Sequence, residues 1–529
     1  MTVGSPPEEA GSGTKNTDAE LRTHIRGSSL LLLGRVISIF LNFATQVLTV
    51  RYLTKGDYGA FSWAIAMVTM GSTLSLLSMQ KAVSRFLPIF LEKNDRPSQR
   101  GTILLAVGST LTFGLAIIAL AFVGHGWLTD TFVSDTRSVG LLLILVALVP
   151  MQGLDSLLHA LFAVLASPRA IFFRRHILSP LFRLAAVITV IAIAGSVEAL
   201  AIGYLVAGAL GIAAYLVLLR RLLARLGLFG GTIPEKDRGV KVPARELYRF
   251  GLPLVTTDLL WFLKTTVVVI ILEALEGTDA VAEFRAVVPL AALNVLILHN
   301  IRILYLPLAS RLLARDDAAG VGLLYARTTA WITVITFPIF AVCVFLAEPV
   351  TTLLFGERYS SAATILTVLA IGQFIDAAFG VNLATLNAFA RVRFIAFVNV
   401  FIALLAVGAQ FLLIPRYGAL GAAAAATGTI VVQNVIHQTG LIRLTGVGTL
   451  SGASLRVYGV VLGVLALLVG ARFTLDSPVL LAGLIAIGSL GILRFSRDTL
   501  DIAETFPELK KVPGLGKLVS SPRPSDRCE

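Results

Sequence analysis

Arg35, Ser38, Asn42 and Gln46 interrupt an otherwise apolar run at spacings of 3, 4 and 4. On a helix this spacing puts all four on one face. The stripe reads either as an interhelical hydrogen-bond seam or as a water-lined face. A seam needs only the hydroxyl and the amides, so the guanidinium favours the water-lined face. A later run carries Thr257, Asp258, Trp261, Lys264 and Thr265, of which Thr257, Trp261 and Lys264 share a face. Gln152, Asp155 and His159 repeat the 3 and 4 spacing just after Pro150, where a kink is expected. Gln373, Asp376, Gly380 and Asn387 fall on roughly one face of another run, and Gln433, Asn434 and His437 mark a further one.

A charged side chain near the centre of a bilayer costs about 2.5–3.5 kcal/mol on insertion scales, so those that persist face protein, water or a partner. Arg35 and Lys264 lie near the middle of their runs and suit an anionic ligand such as a phosphate or pyrophosphate. For Lys264 a second reading stays open, an ion pair with Asp376 or Asp155 that holds helices together. Asp155, Asp258 and Asp376 either compensate charge or bind a coupling cation. Arg183, Arg285 and Arg302 lie near the ends of runs and are expected to snorkel to the interface.

The elements that must position these residues are membrane helices. Of 529 residues 56% are hydrophobic and only 14% are charged, against about 25% charged in a soluble protein. The pattern predicts an all-α polytopic membrane protein with about fourteen spanning segments. They fall near 27–50, 58–79, 101–124, 139–165, 179–195, 197–219, 250–274, 281–305, 325–347, 362–386, 394–415, 418–440, 454–472 and 476–494. The first run is too long for a cleavable signal and is expected to act as an uncleaved anchor.

Most of the 44 Lys and Arg fall on alternate connecting segments, which predicts cytoplasmic termini. The expected organisation is a polar cytoplasmic tail (1–26), a first six-helix lobe (27–219) and a basic cytoplasmic linker (220–249). A second six-helix lobe (250–440), two further helices (441–494) and a cytoplasmic tail (495–529) follow. The tail reads either as a surface amphipathic helix or as unstructured.

The formal charge of +13 does not point to nucleic acid, because the cations are dispersed between apolar runs rather than gathered on one surface. Cys343 and Cys528 are too few for a disulfide framework or a metal site. No phosphate-binding loop or zinc motif occurs; Gly514-Leu515-Gly516-Lys517 lacks the first glycine and the hydroxyl that such a loop needs. No cofactor is expected. Two six-helix halves without a nucleotide site read most simply as a secondary transporter.

Five stretches then resemble a known family in order and in position. They are Arg51-Tyr52-Leu53-Thr54-Lys55-Gly56-Asp57-Tyr58-Gly59 after the first span and Ala82-Val83-Ser84-Arg85-Phe86-Leu87-Pro88 after the second. Leu354-Phe355-Gly356-Glu357-Arg358-Tyr359-Ser360-Ser361-Ala362-Ala363 follows the ninth, continues into Leu369-Ala370-Ile371-Gly372-Gln373-Phe374, and is joined by Tyr417-Gly418-Ala419-Leu420-Gly421-Ala422 at the twelfth. Together they resemble the lipid-linked oligosaccharide flippases of the multidrug/oligosaccharidyl-lipid/polysaccharide exporter superfamily. The resemblance covers about residues 27–495.

The resemblance implies two six-helix lobes around a central cavity that opens alternately to each side. It implies transfer of a polyprenyl-phosphate- or pyrophosphate-linked glycan from the cytoplasmic to the outer leaflet of the plasma membrane. Arg35 agrees with the cavity arginines of related lipid II flippases. On this reading Arg35 and Lys264 neutralise phosphate, while Asn42, Gln46, Gln373 and Asn387 serve sugar hydroxyls. The implied partners are the lipid-linked glycan, membrane lipids and a glycan assembly or polymerisation machinery, for a chain that is monomeric by analogy with the fold. A cation-coupled drug exporter would favour an acidic cavity. A membrane glycan polymerase or ligase would need a sizeable outward loop. A non-transporting scaffold would have no use for polar stripes.

Overall fold

Thr54 and Asp57 show how the local sequence starts a helix. The Thr54 side chain accepts from the Asp57 amide at 3.1 Å and its hydroxyl donates to Asp57 Oδ2 at 2.6 Å, capping a helix that would otherwise begin with unpaired amides. Arg137 holds the same carboxylate at 3.1 Å, and the Tyr52 hydroxyl donates to the Gly195 carbonyl at 2.8 Å. The first quoted motif is therefore a junction that ties three connections together. Asp95 caps a later helix, accepting from the Ser98 amide at 3.1 Å, and hydrogen bonding to Ser98 holds its carboxyl below the usual range.

The computed structural model describes residues 34–133, 135–165, 172–225, 239–447 and 452–500. The described residues contain helices and no strand. They divide into two compact units, Met1–Leu259 and Leu260–Glu529. Unit 1 contains α1 (34–52), α2 (Lys55–Leu76), α3 (Met79–Glu92), α4 (Arg96–Val123) and α5 (His125–Phe132). It continues with α6 (Thr136–Leu145), α7 (Leu148–Val164), a π-helical segment (Phe172–Leu178) leading into α8 (Ser179–Ala192), α9 (Val197–Arg225) and the first part of α10 (Ala244–Thr265). Unit 2 takes the rest of α10, then α11 (Val267–Glu276), α12 (Thr278–Ala291), α13 (Leu293–Leu313), α14 (Ala318–Phe345) and α15 (Ala347–Phe355). After a short 3-10 turn come α16 (Ala362–Phe379), α17 (Asn382–Ala388), α18 (Val392–Thr445), α19 (Gly452–Thr474) and α20 (Pro478–Leu500).

Residues 80–92, expected as part of a connecting loop, continue as helix α3 after a break at Leu77 and Ser78, both with positive φ. The reason lies in the sequence: Met79, Ala82, Val83 and Leu87 recur at helical spacing and are buried in one apolar cluster with Leu157, Leu158 and Leu161 of α7. Lys81 and Arg85 take the other face.

The kink expected at Pro150 is a 49° bend between α6 and α7. Pro150 lacks the amide hydrogen that would pair with the Val146 carbonyl. That carbonyl accepts instead from Val149 at 2.9 Å, a tighter turn that redirects the helix.

Ten described helices are long and apolar enough to cross a membrane, or up to twelve if each of two bent pairs is one span. The expected fourteen is therefore not reached in these terms. The first expected span begins before the described residues, and the spans expected at 394–415 and 418–440 run together in the 54-residue α18. A straight helix of that length would measure about 80 Å at 1.5 Å per residue. Arg391, at its N-cap, nevertheless donates to the carbonyl of Leu444, near its end, at 2.7 Å. The helix folds back on itself at Gly418, whose φ of 55° and ψ of −134° lie outside helical space. Such a conformation is open to glycine and strained for any side chain. Gly418→Ala is expected to cost about 1–3 kcal/mol, read as a lower thermal unfolding temperature of the purified protein. Unchanged unfolding would show that the hairpin does not depend on this torsion.

Of the linker expected at 220–249, residues 220–225 end α9 and 244–249 open α10, while 226–238 lie outside the described residues; so do most of the tail expected at 495–529 and the polar segment 1–26.

Candidate functional site

Helix α10 breaks from α11 by 42° at Thr266, two residues beyond Lys264. A discontinuous helix frees backbone groups only where protein or water can satisfy them, which in membrane proteins is at cavities. Unit 2 has one there, of about 350 Å³. Its lining includes Lys264, Gln373 and Asp376, three of the residues singled out from sequence.

The polar groups form a connected set. Lys264 Nζ donates to Gln433 Oε1 at 2.6 Å. Asp376 accepts from Asn434 Nδ2 at 2.9 Å, and Asn382 Nδ2 donates to Asn434 Oδ1 at 3.0 Å. Arg302 faces Asp376 with an N···O separation of 3.8 Å and donates to the Gly380 carbonyl at 3.1 Å. The ion pair that sequence left open for Lys264 is thus made by Arg302, while Lys264 is held by an amide. Arg302 does not snorkel as expected, because Asp376 and the Gly380 carbonyl draw it inward. Arg285 also lines the cavity.

Three further buried atoms on this lining have no hydrogen-bond partner: Arg302 Nε, Gln410 Oε1 and His437 Nε2. Gln410 and His437 are each 1% exposed. Buried polar groups are normally paired, so this lining has capacity reserved for something in the cavity. Lys264, Arg285 and Arg302 outnumber the single carboxylate Asp376, and the balance is cationic. The arrangement can hold an anionic group and supply amide hydrogen bonds beside it.

The other sequence candidates lie elsewhere. Arg35, Asn42 and Gln46 lie on α1 in unit 1 and line neither cavity described here. Asn42 donates to the Ser38 carbonyl at 2.7 Å, within its own helix. Asn387 is exposed on α17. Asp258, on the unit 1 part of α10, accepts from Lys81 at 2.6 Å and Ser78 at 2.5 Å. The pair ties α10 to the break before α3. Both side chains keep partial exposure, 35% for Lys81 and 21% for Asp258, so Asp258→Asn is expected to change stability by no more than about 1 kcal/mol. Thermal unfolding checks this, and a larger loss would mark the tie as a main support of unit 1.

Asp155 lines a second cavity, in unit 1, and forms an ion pair with Arg174. Sequence reading placed Arg174 in a connecting loop, whereas it sits in the π-helical segment and is 3% exposed. Arg302, Asn382, Gln410, Asn434 and His437 line the unit 2 cavity as well, beyond the residues that the sequence assigns to binding. The signal for Gln410 and Asn434 was present, since each is an amide inside an apolar run. No periodicity marks Arg174.

The sequence model of the polysaccharide biosynthesis protein family matches residues 24–313, more than half of the chain. The chain belongs to this family. No curated protein matches it at a significant level of sequence similarity. Among solved structures, the family fold seen here is similar to the lipid II flippase MurJ in its inward closed conformation. The TM-score is 0.69 at 14% identity, over 92% of this chain and 99% of that one. An inward-facing multidrug resistance MATE family transporter of the MOP superfamily aligns with a TM-score of 0.63 at 14% identity, over 78% of this chain and 95% of that one. A mutant of the Vibrio cholerae MATE transporter VcmN gives 0.53 at 13% identity, over 81% and 98%. This member of the family is a multi-pass membrane protein with the fold of flippases and exporters, and the folds it matches are those of transporters rather than enzymes.

Proposed function

We propose that the chain flips a polyprenyl-phosphate- or pyrophosphate-linked oligosaccharide from the cytoplasmic to the outer leaflet of the plasma membrane by alternating access. The observation that carries this reading is the cavity of unit 2, with three cations, one carboxylate and a set of amides. Lys264 is the proposed phosphate contact, since a carboxylate does not claim it. Gln373 and Gln410 are the proposed contacts for sugar hydroxyls, beside the Asn382–Asn434–Asp376 network. Asp376 compensates the charge of Arg302.

The contributions divide along the chain. The three cations come from the stretch that the polysaccharide family model matches, and the amides, Asp376 and His437 come from beyond it. Recognition of the phosphate is on this view the shared feature of the family, and recognition of the glycan the particular one. Arg35, Asn42 and Gln46 enter the proposal as a separate polar path on α1, and Asn387 as an outlying sugar contact. Both termini are proposed to be cytoplasmic, on the alternation of positive charge.

A cationic lining also separates this reading from export of cationic drugs, because like charges repel in a low-dielectric cavity. The deciding experiment measures the leaflet location of the lipid-linked glycan after depletion of the protein, with an impermeant outer-leaflet probe and total precursor assayed together. Accumulation on the cytoplasmic side with intact synthesis is expected. A normal leaflet distribution would falsify the proposal.

A further inference from the structure

Unit 1 holds a cavity of about 300 Å³ that the flippase reading does not use. It is built around Arg174, which is fixed on three sides. Its Nε donates to the Gly211 carbonyl at 2.7 Å, its Nη2 pairs with Asp155, and its guanidinium carbon stands 4.5 Å from the centre of the Tyr215 ring. Gly211 is part of the device: a Cβ at that position would lie 2.6 Å from Nη2 and 3.0 Å from the guanidinium carbon. The arginine can therefore lie flat against α9 only because residue 211 has no side chain. What remains is Nη1, buried and without a hydrogen-bond partner, on a residue that lines the cavity.

An arginine carries donors and no acceptor, so an acceptor completes this site. Arg183 lines the same cavity, and the two guanidinium groups outnumber the one carboxylate, which Arg174 already engages. The excess charge is positive and calls for an anion. Gln152 and Ser156 of α7, Ser179 of α8 and Tyr204 of α9 add donors. Donors converging from several directions suit a tetrahedral oxyanion with several acceptor oxygens better than a planar carboxylate. The volume is at the lower end of small-molecule sites, about 300–1,000 Å³. It accommodates a phosphate group.

We propose that the unit 1 cavity is a binding site for one phosphate-class oxyanion, held by Arg174 and Arg183. The ligand is either free inorganic phosphate or the headgroup phosphate of an anionic phospholipid. The site shares no residue with the cavity of unit 2, and its test involves no glycan, so its failure leaves the flippase reading untouched.

The purified full-length protein is placed in phosphatidylcholine nanodiscs and titrated with inorganic phosphate by calorimetry. In a second arm, native mass spectrometry counts the phosphatidylglycerol retained by protein released from phosphatidylglycerol-containing nanodiscs. Binding in the first arm identifies the free ion, and retention in the second identifies a headgroup; either supports the site if Arg183→Gln weakens it at least tenfold. Arg183→Gln leaves the Arg174–Asp155 pair in place, so the test does not depend on a variant that disturbs folding. Gly211→Ala, which displaces the guanidinium, is expected to lower binding in the same arm. No binding in either arm, or binding that Arg183→Gln leaves unchanged, overturns the proposal.

Discussion

Lys264→Ala is expected to lower delivery of the lipid-linked glycan to the outer leaflet by about ten- to a hundredfold at matched membrane expression. The magnitude follows from losing one hydrogen bond to a charged group, about 1.5–3 kcal/mol. Lys264 has no carboxylate partner; Gln433 holds it at 2.6 Å in a cavity with an excess of cations. Lys264→Gln keeps a hydrogen-bonding group toward Gln433 but removes the charge, and it should be nearly as defective. Delivery is read with an outer-leaflet probe, and thermal unfolding of each variant is measured in parallel. If both variants deliver glycan at the wild-type rate, Lys264 is a helix tie and the phosphate contact lies elsewhere.

Asp155→Ala is expected to produce the largest loss of stability, about 3 kcal/mol. Its partner Arg174 has a side chain that is 4% exposed, and removing the carboxylate leaves that guanidinium buried and unpaired. Breaking a buried pair from one side costs about 3–5 kcal/mol, and the lower figure applies because the Asp155 side chain retains 30% exposure. Replacing both partners with apolar residues, Asp155→Leu with Arg174→Met, should recover most of the loss, since the desolvated charge is then gone. Thermal unfolding of the single and the double variant measures this. Loss of transport by Asp155→Ala with unchanged unfolding would instead assign Asp155 to ion coupling.

Lys264 and Asp376 show how much of the site is legible in the sequence. They were visible because a charge inside an apolar run is costly and hence conspicuous, and both line one cavity. Arg302 was conspicuous too. Its position near the end of a run suggested an exit to the interface, and only tertiary structure reveals Asp376 and the Gly380 carbonyl on its inner side. Arg174 was hidden for a different reason. It stands at the border of a connecting segment, where cations are common, and its burial depends on a glycine 37 positions away. Helical periodicity reports one face of one element, so it could not anticipate a contact between α9 and a π-helical segment. Helix identity was legible throughout because long apolar runs admit little else in a membrane.

The fold-back of α18 bears on how the protein enters the membrane. Its two arms meet at Gly418 with no intervening loop, and Arg391 and Leu444 close the far end. Two crossings joined this tightly leave no stretch of chain that could wait in water while the second arm is synthesised. Insertion of the two arms as one paired hairpin is the expected route.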